Sequence, residues 1–190
     1  MFAADALRRA LSILGALLAD RGHRHEVVVI GGGALLLASW IERPTKDLDA
    51  LAIVVQGHYQ SGHPLPPTLR EAIEDTAGLV DLDPHWLNAG PTDQLKHGLP
   101  PGFQSRTSVH VFGGLTLHVA GRFDQICLKL YAAADQDPRS KHVVDLVRLA
   151  PTVDELAAAA PWVKGQDAGA EFAQFVDAVI QHLEAARGPR

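Results

Sequence analysis

Two aspartates, Asp47 and Asp49, stand one residue apart in the run KDLDALAIVV. They open a β-branched apolar stretch that predicts a strand over 47–55. Alternate residues of a strand point to one face, so both carboxylates aim at one point. Two hard oxygen ligands on a rigid strand suit Mg²⁺ carrying substrate phosphates. Just upstream, the run VVVIGGGALLL breaks at Gly31, Gly32 and Gly33. Glycines there let a backbone turn approach a phosphate closely, with N–H groups free at the start of the next helix. The chemistry this pairing suggests is the handling of phosphate-bearing groups.

Other readings of the glycines fit less well. A dinucleotide fingerprint needs glycine at position 36, which is Leu36. A P-loop needs Lys followed by Ser or Thr after its second glycine block, and neither is present. The histidine pairs His23/His25, His58/His63 and His110/His118 do not form a helix-borne zinc motif; they read as loop and strand-face residues. An Asp-x-Asp at a strand start also suits an exposed turn cap. The glycine turn close upstream is what favours a site.

The elements that must position these residues can be read from periodicity and breakers. Residues 3–20 predict an amphipathic helix with Leu7, Leu11, Leu14 and Leu18 on one face. A short buried strand covers 26–30 and a short helix 34–41, which must stop before Pro44. After the strand over 47–55 comes a Gly- and Pro-rich loop, 56–67. A helix over 68–79 follows, with Thr68 and Glu71 as a capping box. Residues 81–102 predict short helical turns and loop. Strands over 108–112 and 115–120 form a hairpin across Gly113-Gly114. Helices follow over 123–134, 139–149 (opened by Asp137-Pro138), 153–160 and 170–186, with GQDAG at 165–169 as the clearest break.

The expected fold is α+β: a small mixed sheet with helices packed on it, and a helical C-terminal extension. The expected division is a core with its N-terminal helix over 1–150 and an extension over 151–190. Composition sets further bounds. At 190 residues and 47% apolar, the chain can bury a sizeable core. The single cysteine, Cys127, excludes an internal disulfide and a cysteine-rich zinc site. It predicts a core position and fits a reducing cytoplasm. No run reaches the roughly 18 apolar residues of a membrane span. A net charge of −5 argues against broad, charge-driven nucleic-acid binding but leaves room for a local basic groove.

The arrangement resembles the nucleotidyltransferase superfamily with the DNA polymerase beta-like fold. That motif is a strand ending in Gly-Gly or Gly-Ser, a short helix, then a strand opening Asp-x-Asp. Ile30-Gly31-Gly32 and Asp47-Leu48-Asp49 match it. Arg43, Thr45, Asp47, Leu48 and Asp49 resemble the wording of a minimal bacterial branch related to AbiEii-type toxins. A second run is similar to a downstream motif of that branch: Cys127-Leu128-Lys129-Leu130, then Arg139, Lys141, Asp145 and Leu146. Position 142 is His where the family often has Asp. The likeness covers roughly residues 25–150.

The resemblance implies one or two Mg²⁺ ions on Asp47 and Asp49. It implies phosphate contacts from Gly31, Gly32, Arg43, Thr45, Lys46, Lys141 and Asp145, and a positive charge from Lys129. It further implies an NTP substrate, a hydroxyl of RNA (a tRNA end) or of protein as acceptor, and a toxin role with an antitoxin partner. The superfamily commonly carries a third carboxylate on a later strand beside the first two. The strand over 115–120 is the expected place, and it offers His118 and no acid; Asp81 and Asp83 lie in the irregular stretch. A binding module on the same fold that has lost catalysis, either a nucleotide sensor or a partner of a toxin, is therefore the rival expectation. Plainer roles also fit: Lys129 as a snorkelling lysine, Lys141 and Arg139 as a solvated helix start, and Asp145 paired with Lys141 or Arg148. Trp86 and Asn88 suit the wall of a substrate pocket, and Trp86 suits a core anchor better.

Overall fold

The leucine stripe at 7, 11, 14 and 18 is buried to 0% exposure along one face of α1 (Ala4–Asp20). In the computed structural model, which describes residues 2–135 and 140–186, that face lies in a core shared with one side of a sheet. The sheet strands are β1 (His25–Ile30), β2 (Leu48–Val55), β3 (His58–Gln60), β4 (Leu87–Asn88), β5 (Ser108–Phe112) and β6 (Leu115–Val119). Their order is β3-β2-β1-β6-β5, with β4 also on β2. β1 runs parallel to β6 and β2 parallel to β4; the other pairs are antiparallel. The sheet is therefore mixed, and the fold is α+β.

Alternation decides what each face does. Val27, Val29, Leu115, Leu117 and Val119 join the leucines of α1 in the core. α3 (Pro67–Val80) adds Leu69, Ala72, Ile73 and Ala77 to it. Trp86 is 1% exposed, stacks at a tilt on Phe2 with ring centroids 5.7 Å apart, and donates its indole N–H to Ile73 O. It is a core anchor.

Several elements of the first unit differ from the sequence expectation. The loop over 56–67 contains β3, because Gln56 and Gly57 both take positive φ (51° and 78°) and close a tight hairpin with β2. α3 begins with Pro67 at its first position, and no side chain caps it. Thr68 is instead bonded to His25 Nε2 at 3.0 Å, so the expected capping box with Glu71 does not form. α2 (Gly31–Leu37) starts on the glycines themselves rather than at residue 34. It ends early, where Ser39 takes a φ of 58°.

The chain divides into two compact units, Met1–Ala120 and Gly121–Arg190. The sheet, α1, α2 and α3 make the first. The second is helical: α4 (Arg122–Asp135), α5 (Lys141–Leu149), α6 (Val153–Lys164) and α7 (Ala170–Ala185). The break expected at residue 150 lies inside this second unit, between α5 and α6. The expected N-cap and helix start at Asp137, Pro138 and Arg139 lie outside the described residues.

Within the second unit α4 packs on α5, α6 and α7, and Cys127 is buried in α4 as expected. α6 opens with a full capping box between Thr152 and Glu155. Glu155 also takes the Arg122 guanidinium at 2.9 and 3.2 Å, which holds its carboxyl below the ordinary range. α6 runs past residue 160 through Pro161, one turn further than the sequence suggests. No helix among the described residues is long and apolar enough to cross a membrane.

Candidate active site

The three glycines are explained by what lies against them. β1 and β2 are antiparallel, and Ile30 at the end of β1 pairs with Asp49 at the start of β2. The next residue, Gly31, has a φ of +76°, in the left-handed region that side chains disfavour. A Cβ there would sit 2.5 Å from Asp49 Oδ2. On Gly32 it would lie 3.2 Å from Thr45 Oγ1 and 3.4 Å from an Arg43 guanidinium nitrogen. On Gly33 it would lie 2.8 Å from Asp47 O and from the Leu48 side chain. Each glycine thus meets a different residue of the segment 43–49. The lack of side chains lets that segment lie directly on the turn and draws the Asp49 carboxylate against the backbone of Gly31.

The acidic segment is fixed from its other side as well. Thr45 is 4% exposed, and its backbone exchanges two hydrogen bonds with Phe2, at 2.6 and 3.2 Å. Its hydroxyl donates to Asp47 O at 3.2 Å and reaches Asp47 Oδ1 at 3.5 Å. Leu48 donates its backbone N–H to Trp86 O at 2.6 Å. Asp47 and Asp49 are both half-buried. They flank Leu48, which is fully buried in the core. Arg43 donates to Pro44 O at 3.3 Å and is half-buried, while Lys46 is exposed.

The structure therefore gathers Gly31, Gly32, Arg43, Thr45, Asp47 and Asp49 at one end of the β1–β2 pair, all in the first unit. Lys129, Lys141 and Asp145 belong to the second unit. There Lys129 Nζ donates to Asp145 Oδ2 at 2.8 Å, with side chains 6% and 0% exposed. This is a buried ion pair between α4 and α5. The partners expected for Asp145 on its own helix, Lys141 and Arg148, are both exposed, Lys141 as the first residue of α5.

The strand beside the acidic pair is not the one the sequence suggests. β6 pairs with β1 and β5, not with β2, and His118 is bonded to Glu26 of β1 at 2.9 Å. β2 is flanked at its start by β4, where Asn88 stands opposite Asp49. Asp81 and Asp83 are exposed and precede that strand. From the residues alone Asn88 reads as a pocket residue beside Trp86; its pairing with Asp49 is not legible, because a strand of two residues leaves no periodicity to detect.

Among the described residues no group of three or more His, Cys, Asp and Glu side chains is placed to hold a metal ion. The donor set that is present, two carboxylates one residue apart with one pinned on a glycine turn, still fits Mg²⁺. That ion commonly takes one or two carboxylates and completes its shell with water and substrate phosphates.

The glycine turn thus closes the end of β1, with Asp49 at the start of β2 laid across it and Asp47 just before that strand, in a mixed sheet. Residues 6–149 match the family described as nucleotidyltransferase of unknown function (DUF6036), and the chain belongs to that family. No curated protein and no solved structure was found to match.

Proposed function

We propose that this protein is a Mg²⁺-dependent nucleotidyltransferase whose active centre is Asp47, Asp49 and the turn at Gly31 and Gly32. It moves a nucleotide from an NTP to a hydroxyl of RNA or protein. The observation that carries this reading is the contact of Gly31 with Asp49, which joins the two halves of the motif in space. In the reaction the acceptor hydroxyl loses its proton to solvent, its oxygen bonds to the α-phosphorus, the α–β phosphoanhydride breaks, and pyrophosphate leaves. Asp47 and Asp49 would hold one or two Mg²⁺ ions, which supply charge neutralisation on the triphosphate and a lowered pKa for the attacking hydroxyl. The chain's own part is positional. Gly31 and Gly32 leave the backbone open to the phosphates. Arg43, Thr45 and Lys46 border the same segment, and Arg43 and Lys46 add positive charge. The resemblance also implies phosphate roles for Lys129, Lys141 and Asp145; Lys129 and Asp145 are buried against each other in the helical unit, so the role proposed for that pair is to hold α4 on α5.

The resemblance to AbiEii-type toxins extends the proposal to a tRNA end as acceptor, an antitoxin as partner and the cytoplasm as location. The test is incubation with labelled NTPs, Mg²⁺ and total RNA or protein. Label transfer that stops on chelation is expected; no transfer to either acceptor would sink the catalytic reading. The second reading is a nucleotide-binding module without turnover, and what favours it is that the residue opposite Asp49 on the adjoining strand is the amide Asn88 and not an acid. Calorimetry showing Mg²⁺-dependent NTP binding, with no transfer, would select it.

Gly31→Ala gives a separate check. It places a Cβ on Asp49 Oδ2 and a side chain in the left-handed region. The expected cost is about 1–2 kcal/mol in stability. The displaced carboxylate should lower transfer by roughly a hundredfold, since misplacement near 1 Å can have that effect. Thermal melts and the labelled assay read the two effects separately.

A further inference from the structure

The residue beside Asp49 on the next strand is an amide with an assigned orientation. Leu48 pairs with Leu87, and Asp49 with Asn88, in parallel register. Leu48 and Leu87 both lie in the core cluster. One residue further along each strand, the side chains face the opposite side of the sheet. Asp49 and Asn88 therefore stand side by side on the site face, on strands about 4.8 Å apart.

Asn88 is half-buried, and its Oδ1 accepts the Gly90 N–H at 2.8 Å. This is an Asx turn. A backbone N–H can only donate, so the amide oxygen belongs on the Gly90 side and the NH₂ group points elsewhere. The position thus offers a neutral donor next to the Asp49 carboxylate.

We propose that Asn88 is the third residue of the site and that its NH₂ group donates to an anionic oxygen of the bound triphosphate. This rests on the nucleotidyl-transfer reading above. It adds a consequence for the order of binding. With two carboxylates and an amide, the free protein holds a divalent ion weakly, and the ion enters together with the triphosphate. A carboxylate at 88 would reverse both properties: it would strengthen the metal site and repel the phosphates.

Asn88→Asp tests this, because an aspartate oxygen can still accept the Gly90 N–H and keep the turn. Two probes are titrated into the full chain: Mn²⁺ alone, followed by electron paramagnetic resonance, and inorganic tripolyphosphate with Mg²⁺, followed by calorimetry. Asn88→Asp should bind Mn²⁺ alone about tenfold more tightly and tripolyphosphate about tenfold more weakly, the scale of one charge-assisted hydrogen bond. Asn88→Ser, which keeps an acceptor for the turn and removes the NH₂, should weaken tripolyphosphate alone; it carries the test if Asn88→Asp does not fold. Unchanged tripolyphosphate binding in the folded variants would overturn the proposal and leave Asn88 as a turn former. The parent reading fails differently. If wild type does not bind tripolyphosphate, or if Asp47→Ala with Asp49→Ala leaves that binding intact, the site itself is wrong and the role of Asn88 falls with it.

Discussion

Replacing Asp47 and Asp49 together by alanine is expected to lower nucleotidyl transfer by about a thousandfold or more, because a bound metal contributes several kcal/mol to phosphoryl chemistry. Stability should change little. Both side chains are half-buried at the end of a strand pair, and neither fills the core. Leu48 between them is the residue that anchors β2, and it is untouched. The double variant should therefore melt within a few degrees of wild type while losing label transfer. A large drop in melting temperature would mean that the carboxylates hold the turn rather than serve a substrate. Transfer that survives the double substitution would place the chemistry elsewhere.

The second large effect is expected in the helical unit. Asp145→Ala leaves the Lys129 ammonium buried at 5% exposure without the carboxylate that now accepts from it at 2.8 Å. Breaking one side of a buried ion pair typically costs about 3–5 kcal/mol. Urea denaturation should show a loss of that size. Replacing both partners with apolar residues close to them in size, Lys129→Met with Asp145→Val, should recover most of it, since no uncompensated charge remains. A loss below about 1 kcal/mol in Asp145→Ala would instead match a solvent-screened surface pair. The recovered double variant also separates two roles for Lys129. Full transfer activity in that background would assign the pair to holding α4 against α5. Lost activity with an intact fold would assign the ammonium to the triphosphate.

The elements with strong periodicity are legible in the residues alone. The stripe of α1 and the Gly113-Gly114 hairpin stand where their patterns put them. The resemblance leads one to expect the glycine turn near the acidic pair, but it does not supply the physical reason. As a sequence, the glycines read as open backbone for phosphate. In the fold the space of each missing Cβ is taken up by Asp49, Thr45 with Arg43, or Asp47 with Leu48.

Other features depend on tertiary partners that a linear reading does not show. Thr68 reads as a cap and serves His25. Asp145 reads as an intrahelical partner and meets Lys129 on another helix. The hairpin strand over 115–120 reads as the place for a third acid because the resemblance puts that acid on a later strand and this one is plain in the sequence. The strand that actually lies along β2 has two residues, and its register with Asp49 exists only once Trp86 is seated in the core and its carbonyl accepts from Leu48.

The most direct test of the central claim is to compare α-labelled with γ-labelled NTP as donor, in Mg²⁺, with wild type and the Asp47/Asp49 double variant. Nucleotidyl transfer requires the α-label to reach the acceptor, the γ-label to leave in pyrophosphate, and both signals to vanish in the variant. Transfer of the γ-label to the acceptor, or α-label transfer that persists without the two carboxylates, would contradict it.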